Sequence, residues 1–272
     1  MPSTTTVAPT SKAPLVTLDE EARQAVRDLV TKTDDPVDNI FSEWQQNLLK
    51  DTLRNSWTPT GPEGRRKFMV CANVGIFEHT KTPPLVPDVM VSLDAAPPED
   101  EDINRAYYLW ELGPPDVVVE IVSNKKGDEL GGKLGKYAGW GIPYYVVTDP
   151  FRQLSRDLVR VFVLDGGRYQ RTSDWFLHGV GLGLTLWNGT YDEMEATFVR
   201  WCDEHGVMLG TGLENTAAET ARRRAEADLR REEAARADAQ AARADSEAAR
   251  AEAALWERDR AIAKLRELGI DI

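Results

Sequence analysis

One carboxylate interrupts an otherwise apolar strand near the middle of this chain. Residues Val117 to Val122 read Val-Val-Val-Glu-Ile-Val, a β-branched run typical of a central strand that is buried on both faces of a sheet. Glu120 is the exception. A carboxylate at that position is desolvated, so it needs a metal ion, a cation or several hydrogen-bond donors to remain charged. We therefore take Glu120 as a candidate site residue.

A second acidic residue stands at the mouth of another short strand. The segment Leu85–Val91 carries Pro87 and Asp88 ahead of its apolar residues. If the two strands are neighbours in one sheet, they present Asp88 and Glu120 to the same point.

The residues after Glu120 predict a polar loop, a short helix and a third strand. The loop covers Lys125 to Gly132, the helix Lys133 to Trp140, and the strand Tyr144 to Val147, followed by Asp149-Pro150. The local order is therefore strand, strand, helix, strand, which predicts an α/β fold.

Proline, aspartate, glutamate and lysine in this order resemble the constellation of the PD-(D/E)xK nucleases. In those enzymes two carboxylates hold Mg²⁺ against the scissile phosphate, while a lysine polarises the attacking water and offsets negative charge. The usual lysine lies two residues beyond the glutamate, about 6.6 Å along the same strand face. Val122 stands there in this sequence. A lysine must then come from elsewhere, and Lys133 and Lys136 on the predicted helix are the candidates.

The wider pattern resembles the Uma-two family of restriction-endonuclease-like proteins over about residues 35 to 200. The resemblance implies that Asp88 and Glu120 bind Mg²⁺ or Mn²⁺, that Lys133 is the migrated lysine and that DNA is the substrate. The family often has a proline after the serine that corresponds to Ser123, and this chain has Asn124 there. This departure affects the local turn and not the carboxylates. The motifs that carry the similarity are Pro87-Asp88, Pro115 to Ser123, Gly127-Asp128-Glu129-Leu130 with Lys133 and Tyr137, Gly141 to Tyr145, Asp149-Pro150 and the tail phrase Leu265 to Asp271.

Two other acids need separate interpretations. Asp116 lies on the same strand face as Glu120, but four residues of strand separate the two by about 13 Å, so they cannot share a metal ion. We interpret Asp116 as a strand-entry or turn residue.

Glu43 lies in an amphipathic helix predicted from Asp38 to Leu53. Related folds place a helical acid beside the metal centre, which makes Glu43 a further candidate, and the alternative is an ordinary solvated helix acid.

The composition predicts one globular domain with an appendage. The chain has 272 residues, of which 42% are hydrophobic and 29% charged, and the apolar residues are concentrated before about residue 205. We find neither an apolar run long enough to span a membrane nor a leader pattern, so we expect a cytoplasmic protein without membrane contact. Cys71 and Cys202 lie far apart and the three histidines are scattered, which supports neither a disulfide framework nor a zinc cluster.

We expect three segments along the chain. Residues 1–14 have the composition of a disordered tail, residues 15–205 form the restriction-endonuclease-like domain, and residues 206–272 form a charged, alanine-rich helix. Further elements predicted within the domain are a helix over Leu18–Lys32, strands over Phe68–Val74 and Gly179–Trp187, and a hairpin of Leu158–Leu164 with Gly167–Arg171, turned at Asp165-Gly166.

The C-terminal helix carries a seven-residue repeat, which is the period of a left-handed coiled coil. Alanine side chains bury little area, so pairing through them alone is weak. We expect a homo-oligomer formed through this helix, and the alternative is a single solvated helix. The seam consists of Ala234, Ala237, Ala241, Ala244, Ala248 and Ala251, followed by Leu255, Ile262 and Leu265.

The net charge of −12 and the pI of about 4.9 count against a protein that coats DNA in general. They do not exclude a nuclease. Two basic clusters, Arg65-Arg66-Lys67 and Lys125-Lys126, would guide a duplex to the site, or they are two solvated loop clusters. The leading hypothesis is an α/β restriction-endonuclease-like fold, a mixed β-sheet flanked by helices, with Mg²⁺-dependent cleavage of DNA. The alternative is a degenerate nuclease fold that serves as an oligomerising scaffold through its helical tail.

Overall fold

The computed structural model of the chain describes residues 39–79, 81–97, 106–123 and 127–267. Several predictions lie outside the described residues: the tail over residues 1–14, the helix over Leu18–Lys32, Asn124 and the basic pair Lys125-Lys126. The chain divides into two compact units, with the boundary between Thr211 and Gly212.

The first unit contains short helices and many strands. In chain order its elements are α1 (Ile40–Ser56), β1 (Thr60–Gly61), β2 (Gly64–Arg65), β3 (Phe68–Ala72), β4 (Ile76–Phe77), β5 (Val89–Leu93), β6 (Tyr107–Tyr108), α2 (Leu109–Leu112), β7 (Val117–Ile121), α3 (Gly132–Gly139), β8 (Tyr144–Thr148), β9 (Val159–Asp165), β10 (Arg168–Thr172), β11 (Phe176–Leu177), β12 (Leu182–Tyr191) and β13 (Met194–Cys202).

A six-stranded sheet forms the centre of this unit, in the order β10-β9-β8-β7-β5-β3. The neighbours β7 and β8 are parallel, because α3 carries the chain from one to the other, and the remaining pairs are antiparallel. The sheet is therefore mixed, and the α/β fold predicted from the sequence is confirmed.

The strand predicted at Leu85–Val91 is displaced in the structure, where β5 spans Val89–Leu93. Pro87 has no N–H to give to a ladder, so regular pairing starts only after it. Leu85 instead forms an isolated antiparallel bridge with Ile76. As a result Asp88 directly precedes the first paired residue of β5.

The two faces of β7 enter two separate apolar clusters. Val117 and Val119 pack with α1 and the second sheet, whereas Val118 and Val122 pack with α3. Every residue of β7 is buried, as expected for a central strand with both faces covered. Glu120 shares the face of Val118 and Val122, because side chains two residues apart point to the same side of a strand.

Helix α1 joins the central sheet to the three-stranded sheet β11-β12-β13. The Asn39 side chain caps its first turn by accepting a hydrogen bond from the Ser42 N–H at 2.9 Å. The Gln45 side chain both donates to and accepts from the backbone of Val199 at 2.8 Å. The indole N–H of Trp201 donates to the carbonyl of Leu49 at 3.1 Å. These bonds fix the orientation of α1 against the core.

The second unit is the single helix α4, which spans Gly212–Glu267. It has no buried residue over 56 residues, a length of about 84 Å at 1.5 Å per residue. Ion pairs one turn apart support it, such as Glu219 with Arg223 and Glu226 with Arg230. Among the described helices, none has an apolar stretch long enough to cross a membrane.

Candidate active site

Glu120 is held at both carboxylate oxygens by side chains from α3. It is only 1% exposed. Its Oε1 accepts a hydrogen bond from the hydroxyl of Tyr137 at 2.7 Å, and its Oε2 accepts one from Lys133 Nζ at 2.9 Å. Lys133 and Tyr137 are four residues apart, so they lie on the same face of the helix. The buried carboxylate thus has the cation and the donor that its burial requires.

Asp88 faces the same point from the neighbouring strand. Val89 is paired with Val119, so the register continued by one residue sets Asp88 opposite Glu120. Asp88 Oδ2 accepts a hydrogen bond from the Ile121 N–H at 2.6 Å. Its carboxylate therefore lies against the peptide bond that joins Glu120 to Ile121. The two acids stand at neighbouring positions of the sheet, and their joint role in one site stays a prediction.

Gln46 on α1 is a site neighbour that the sequence analysis missed. It is buried, and its amide donates to Asp88 Oδ1 at 2.8 Å. Asn73 in turn donates to Gln46 Oε1 at 2.9 Å. The candidate helix acid Glu43 is exposed one turn earlier, where its carboxylate accepts a hydrogen bond from Asn47. Helical spacing alone does not distinguish Gln46 from Glu43, because both lie on α1 three residues apart.

The two candidate lysines have different environments. Lys133 contacts Glu120 and its side chain is 25% exposed, whereas Lys136 is exposed on α3. Burial lowers the pKa of the Lys133 ammonium, but the charge and hydrogen bond of Glu120 outweigh this effect, and Glu129 and Asp88 add to it. The net result is a raised pKa, so Lys133 is cationic at neutral pH.

Tyr137 is neutral and acts as a hydrogen-bond donor. Burial, with the nearby charge of Glu120, raises the pKa of its phenol far above the usual range. The hydroxyl therefore keeps its proton and directs it to Glu120 Oε1.

Glu129 is a third acid beside Lys133, and the sequence analysis gave it no role. It is 5% exposed, and its Oε2 has no hydrogen-bond partner within the described part of the chain. Burial raises the pKa of its carboxyl group, and Lys133 partly offsets that rise. Its backbone carbonyl accepts a hydrogen bond from the hydroxyl of Tyr145 at 2.8 Å.

The remaining residues of interest have structural contacts. Asp116 Oδ2 accepts from the Leu93 N–H at 2.7 Å, which is the strand-entry position that we predicted. Val122, at the usual lysine position, is fully buried in the cluster under α3. In the predicted basic cluster, Arg66 forms an ion pair with Asp94 at 2.6 Å.

The donor chemistry of the site fits a hard divalent cation. Asp88 and Glu120 offer carboxylate oxygens, which are the ligands that Mg²⁺ and Ca²⁺ prefer in proteins. Within the described ranges, no three acidic, histidine or cysteine side chains gather as a metal-binding group. Mg²⁺ is commonly bound by only one or two carboxylates, with water and substrate phosphate completing its coordination. The two opposed carboxylates are the residues that would hold such an ion.

Comparison with known proteins places the chain in a family. None of the curated proteins compared with it matches. One similar solved structure is described as a putative nuclease belonging to DUF820 from Anabaena variabilis ATCC 29413; it is 14% identical, with a TM-score of 0.37, and the similarity covers 61% of this chain and 82% of that one. The family model described as Uma2, putative restriction endonuclease, matches residues 34–183, which is more than half of the chain. The chain therefore belongs to the Uma2 family of putative restriction endonucleases.

Proposed function

We propose that the α/β unit is a nuclease that hydrolyses phosphodiester bonds in DNA, with Mg²⁺ or Mn²⁺ held by Asp88 and Glu120. The observation that supports this most is that Asp88, directly before β5, lies opposite Glu120 of β7 in the continued register, with Lys133 in contact with Glu120. Membership of the restriction-endonuclease family supports the same reaction.

A bound divalent ion would supply Lewis-acid polarisation of the phosphate and a water ligand with a lowered pKa. Lys133 has a different task in this proposal. Its raised pKa keeps it protonated, so it is not a general base. As a cation it donates hydrogen bonds to the attacking water or to the phosphate and offsets the negative charge that develops in the transition state.

Tyr137, Gln46 and the Ile121 N–H serve as positioning groups. Each donates one hydrogen bond to a carboxylate oxygen of the site. Together they fix the rotamers of Asp88 and Glu120 before a ligand arrives, which is the support that a metal site receives from groups behind its ligands. Glu43 and Lys136 remain predictions as site residues.

A non-catalytic scaffold is the second candidate function. Val122 occupies the usual position of the lysine, and α4 has a seven-residue seam on a helix without buried residues. In this alternative the nuclease fold is retained and α4 recruits a second copy of the chain. Under both candidate functions we propose the domain limits expected from the sequence, which are residues 15–205 for the nuclease-like domain and 206–272 for the tail.

Metal binding and cleavage together test the proposed nuclease. Mg²⁺ or Mn²⁺ should raise the melting temperature of the full chain by mass action, and Asp88→Asn and Glu120→Gln should each abolish the rise. Asp165→Asn, which changes an exposed acid at the end of β9, is the matched control and should respond like wild type. The wild-type chain should also nick supercoiled plasmid DNA with Mn²⁺, and both site variants should be at least about 100-fold slower.

Two results would contradict this assignment. An unchanged metal response in both site variants would show that these carboxylates do not bind the ion. Metal binding without any nicking by the wild-type chain, combined with self-association through α4, would favour the scaffold.

A further inference from the structure

A groove of about 770 Å³ lies beside β9 and β10, and its lining includes neither Asp88 nor Glu120. We propose that this groove binds a single-stranded segment of nucleic acid, with phosphates at Arg152 and Arg156 and a base against its apolar side. The inference rests on the proposed nuclease function and adds the form of the substrate and a place where it binds. The lining residues that matter are Arg152, Arg156, Arg171, Leu158, Trp175 and Leu186.

The loop that carries Arg152 and Arg156 is shaped from inside by Asp149. This carboxylate is fully buried. Its Oδ1 accepts from the Gln153 N–H at 2.7 Å, and its Oδ2 accepts from the N–H groups of Leu154 at 2.7 Å and Ser155 at 3.2 Å. Three backbone bonds to one side chain hold the loop in a single form, so little ordering remains when a ligand binds.

The charges around the groove favour an anion. Asp157 is the acid in its lining, and it is already paired with Arg171 at 2.8 Å and with Arg160 at 3.9 Å. Arg152 and Arg156 are exposed, and within the described residues neither forms an ion pair. Two guanidinium groups are thus available to phosphate oxygens, for which their planar, multidentate geometry is suited.

The apolar side of the groove favours a single strand over a duplex. Trp175 and Leu158 are half-buried against the core, and Leu186 is 37% exposed. In a duplex the base faces are stacked inside, so such a surface would have nothing to contact. A single strand exposes its bases, and stacking on an aromatic side chain strengthens binding without requiring a sequence.

The groove and the carboxylate site lie at the same end of the central sheet. Glu120 is paired with Val147 of the parallel strand β8, and Asp149 follows two residues later. One strand spacing and two residues of rise place the backbone of Asp149 about 8 Å from that of Glu120. The loop with Arg152 and Arg156 therefore begins at the end of the sheet that carries the proposed catalytic carboxylates. The apolar side of the groove packs on the cluster at the opposite face of the sheet from Glu120, so a bound strand would reach the carboxylates by passing around this end.

Fluorescence anisotropy with 5′-fluorescein-labelled dT₁₂ tests the groove. The full chain carries Glu120→Gln in every sample, so that cleavage does not interfere. Arg152→Ala with Arg156→Ala should weaken binding at least about tenfold at 50 mM salt, and should reduce the log–log salt slope by about 1.4, or 0.7 for each phosphate lost. Arg168→Ala, an exposed arginine of β10 outside the groove lining, is the matched control and should stay within twofold.

A third variant, Trp175→Leu, separates stacking from charge. It should weaken binding about fivefold or more while leaving the salt slope unchanged. Its half-buried ring packs on the core, so circular dichroism should first establish that the variant is folded; the arginine pair tests the proposal independently of that outcome.

Several outcomes would overturn the inference. The first is the absence of dT₁₂ binding at 50 mM salt. The second is an equal loss of dT₁₂ affinity in the Arg152→Ala, Arg156→Ala variant and in Arg168→Ala. The third is a hairpin duplex that binds as tightly as dT₁₂. The proposed nuclease is tested separately: if the groove variants lose binding while Asp88→Asn and Glu120→Gln both keep the wild-type metal response, the inference about the groove is supported and the metal assignment fails.

Discussion

The two units of this chain accommodate charge in opposite ways. In the α/β unit, Glu120 lies inside a buried strand, and both of its oxygens accept hydrogen bonds from α3. In α4, charged side chains are exposed and pair with each other one turn apart. A buried charge must be matched in place, because its removal from water costs several kcal/mol, whereas an exposed pair contributes about 1 kcal/mol or less. Substitutions should therefore have large effects in the first unit and small effects in the second.

The largest effect is expected from the loss of Lys133. Lys133→Ala removes the cation from Glu120 and should lower the free energy of unfolding by about 3 kcal/mol, as when one partner of a buried pair is lost. It should also abolish cleavage while leaving metal binding nearly intact, since Lys133 is not a proposed ligand. Urea denaturation, plasmid nicking and the metal-induced change in melting temperature measure the three quantities.

Lys136→Ala is the matched control for this substitution. It removes an exposed lysine one turn along the same helix and should change stability by less than about 0.5 kcal/mol. If Lys136→Ala were the inactive variant and Lys133→Ala cleaved normally, the choice of lysine would be wrong and the nuclease assignment would survive.

A smaller loss is expected for Tyr137→Phe. The hydroxyl donates to a buried carboxylate, so its removal should cost about 2 kcal/mol, as is typical of a hydrogen bond to a charged group. Tyr169→Phe is the matched control, because that hydroxyl donates at 2.8 Å to the neutral carbonyl of Ile142, and it should cost about 1 kcal/mol. Equal losses in urea denaturation would show that the charge of Glu120 adds nothing to the bond. A weaker Mn²⁺-induced rise in melting temperature, found only in Tyr137→Phe, would support its positioning role.

Glu129→Gln should stabilise the protein by about 1 kcal/mol at neutral pH, because it replaces a buried carboxylate with a neutral amide. The pKa of this carboxyl is higher in the folded chain than its usual value of 4.5, so the folded state holds the proton more tightly than the unfolded state does. The contribution of Glu129 to the free energy of unfolding is thus most favourable below pH 4.5, and it is lost as the pH rises through the raised pKa. The advantage of Glu129→Gln should accordingly be present at pH 7.5 and vanish at pH 4, measured by urea denaturation against the exposed control Glu193→Gln.

The sequence was most informative where a residue contradicted its surroundings. Glu120 stood out as a candidate because a carboxylate in a β-branched run has few explanations, and Asp88 because it follows a proline at a strand entrance; their role as metal ligands stays a prediction. The sequence did not identify Gln46 and Glu129 as neighbours of the site. A polar residue on a helix or in a loop gives the same sequence pattern whether it faces water or a buried acid. The register that sets Asp88 opposite Glu120 depends on where regular strand pairing begins. Pairing begins only after Pro87, so β5 spans Val89–Leu93 instead of the predicted Leu85–Val91.

The smallest effect on the α/β unit is expected from removing α4. The buried apolar residues of the described chain all precede Thr211, so deleting the residues after Glu214 should change the free energy of unfolding of that unit by less than about 0.5 kcal/mol. The deletion should nevertheless shift the assembly toward monomer, because the sequence predicts that the seven-residue seam pairs with a second copy. Light scattering of the full and shortened chains at one concentration, with urea denaturation of each, measures both effects.

Point substitutions in α4 test whether the seam itself drives that association. Leu255 and Ile262 belong to the seam, and the larger side chains there bury more area than the alanines before them, so pairing should be strongest near the C-terminus. Leu255→Gln with Ile262→Gln in the full chain should therefore reduce association as much as the deletion does. Trp256→Gln removes a larger and more exposed apolar side chain outside the seam, and it should leave the assembly unchanged. If Trp256→Gln dissociates the assembly and the seam pair does not, the helix associates through exposed apolar surface rather than through its heptads. If all these chains are monomers, α4 is a solvated helix whose ion pairs are sufficient to hold it.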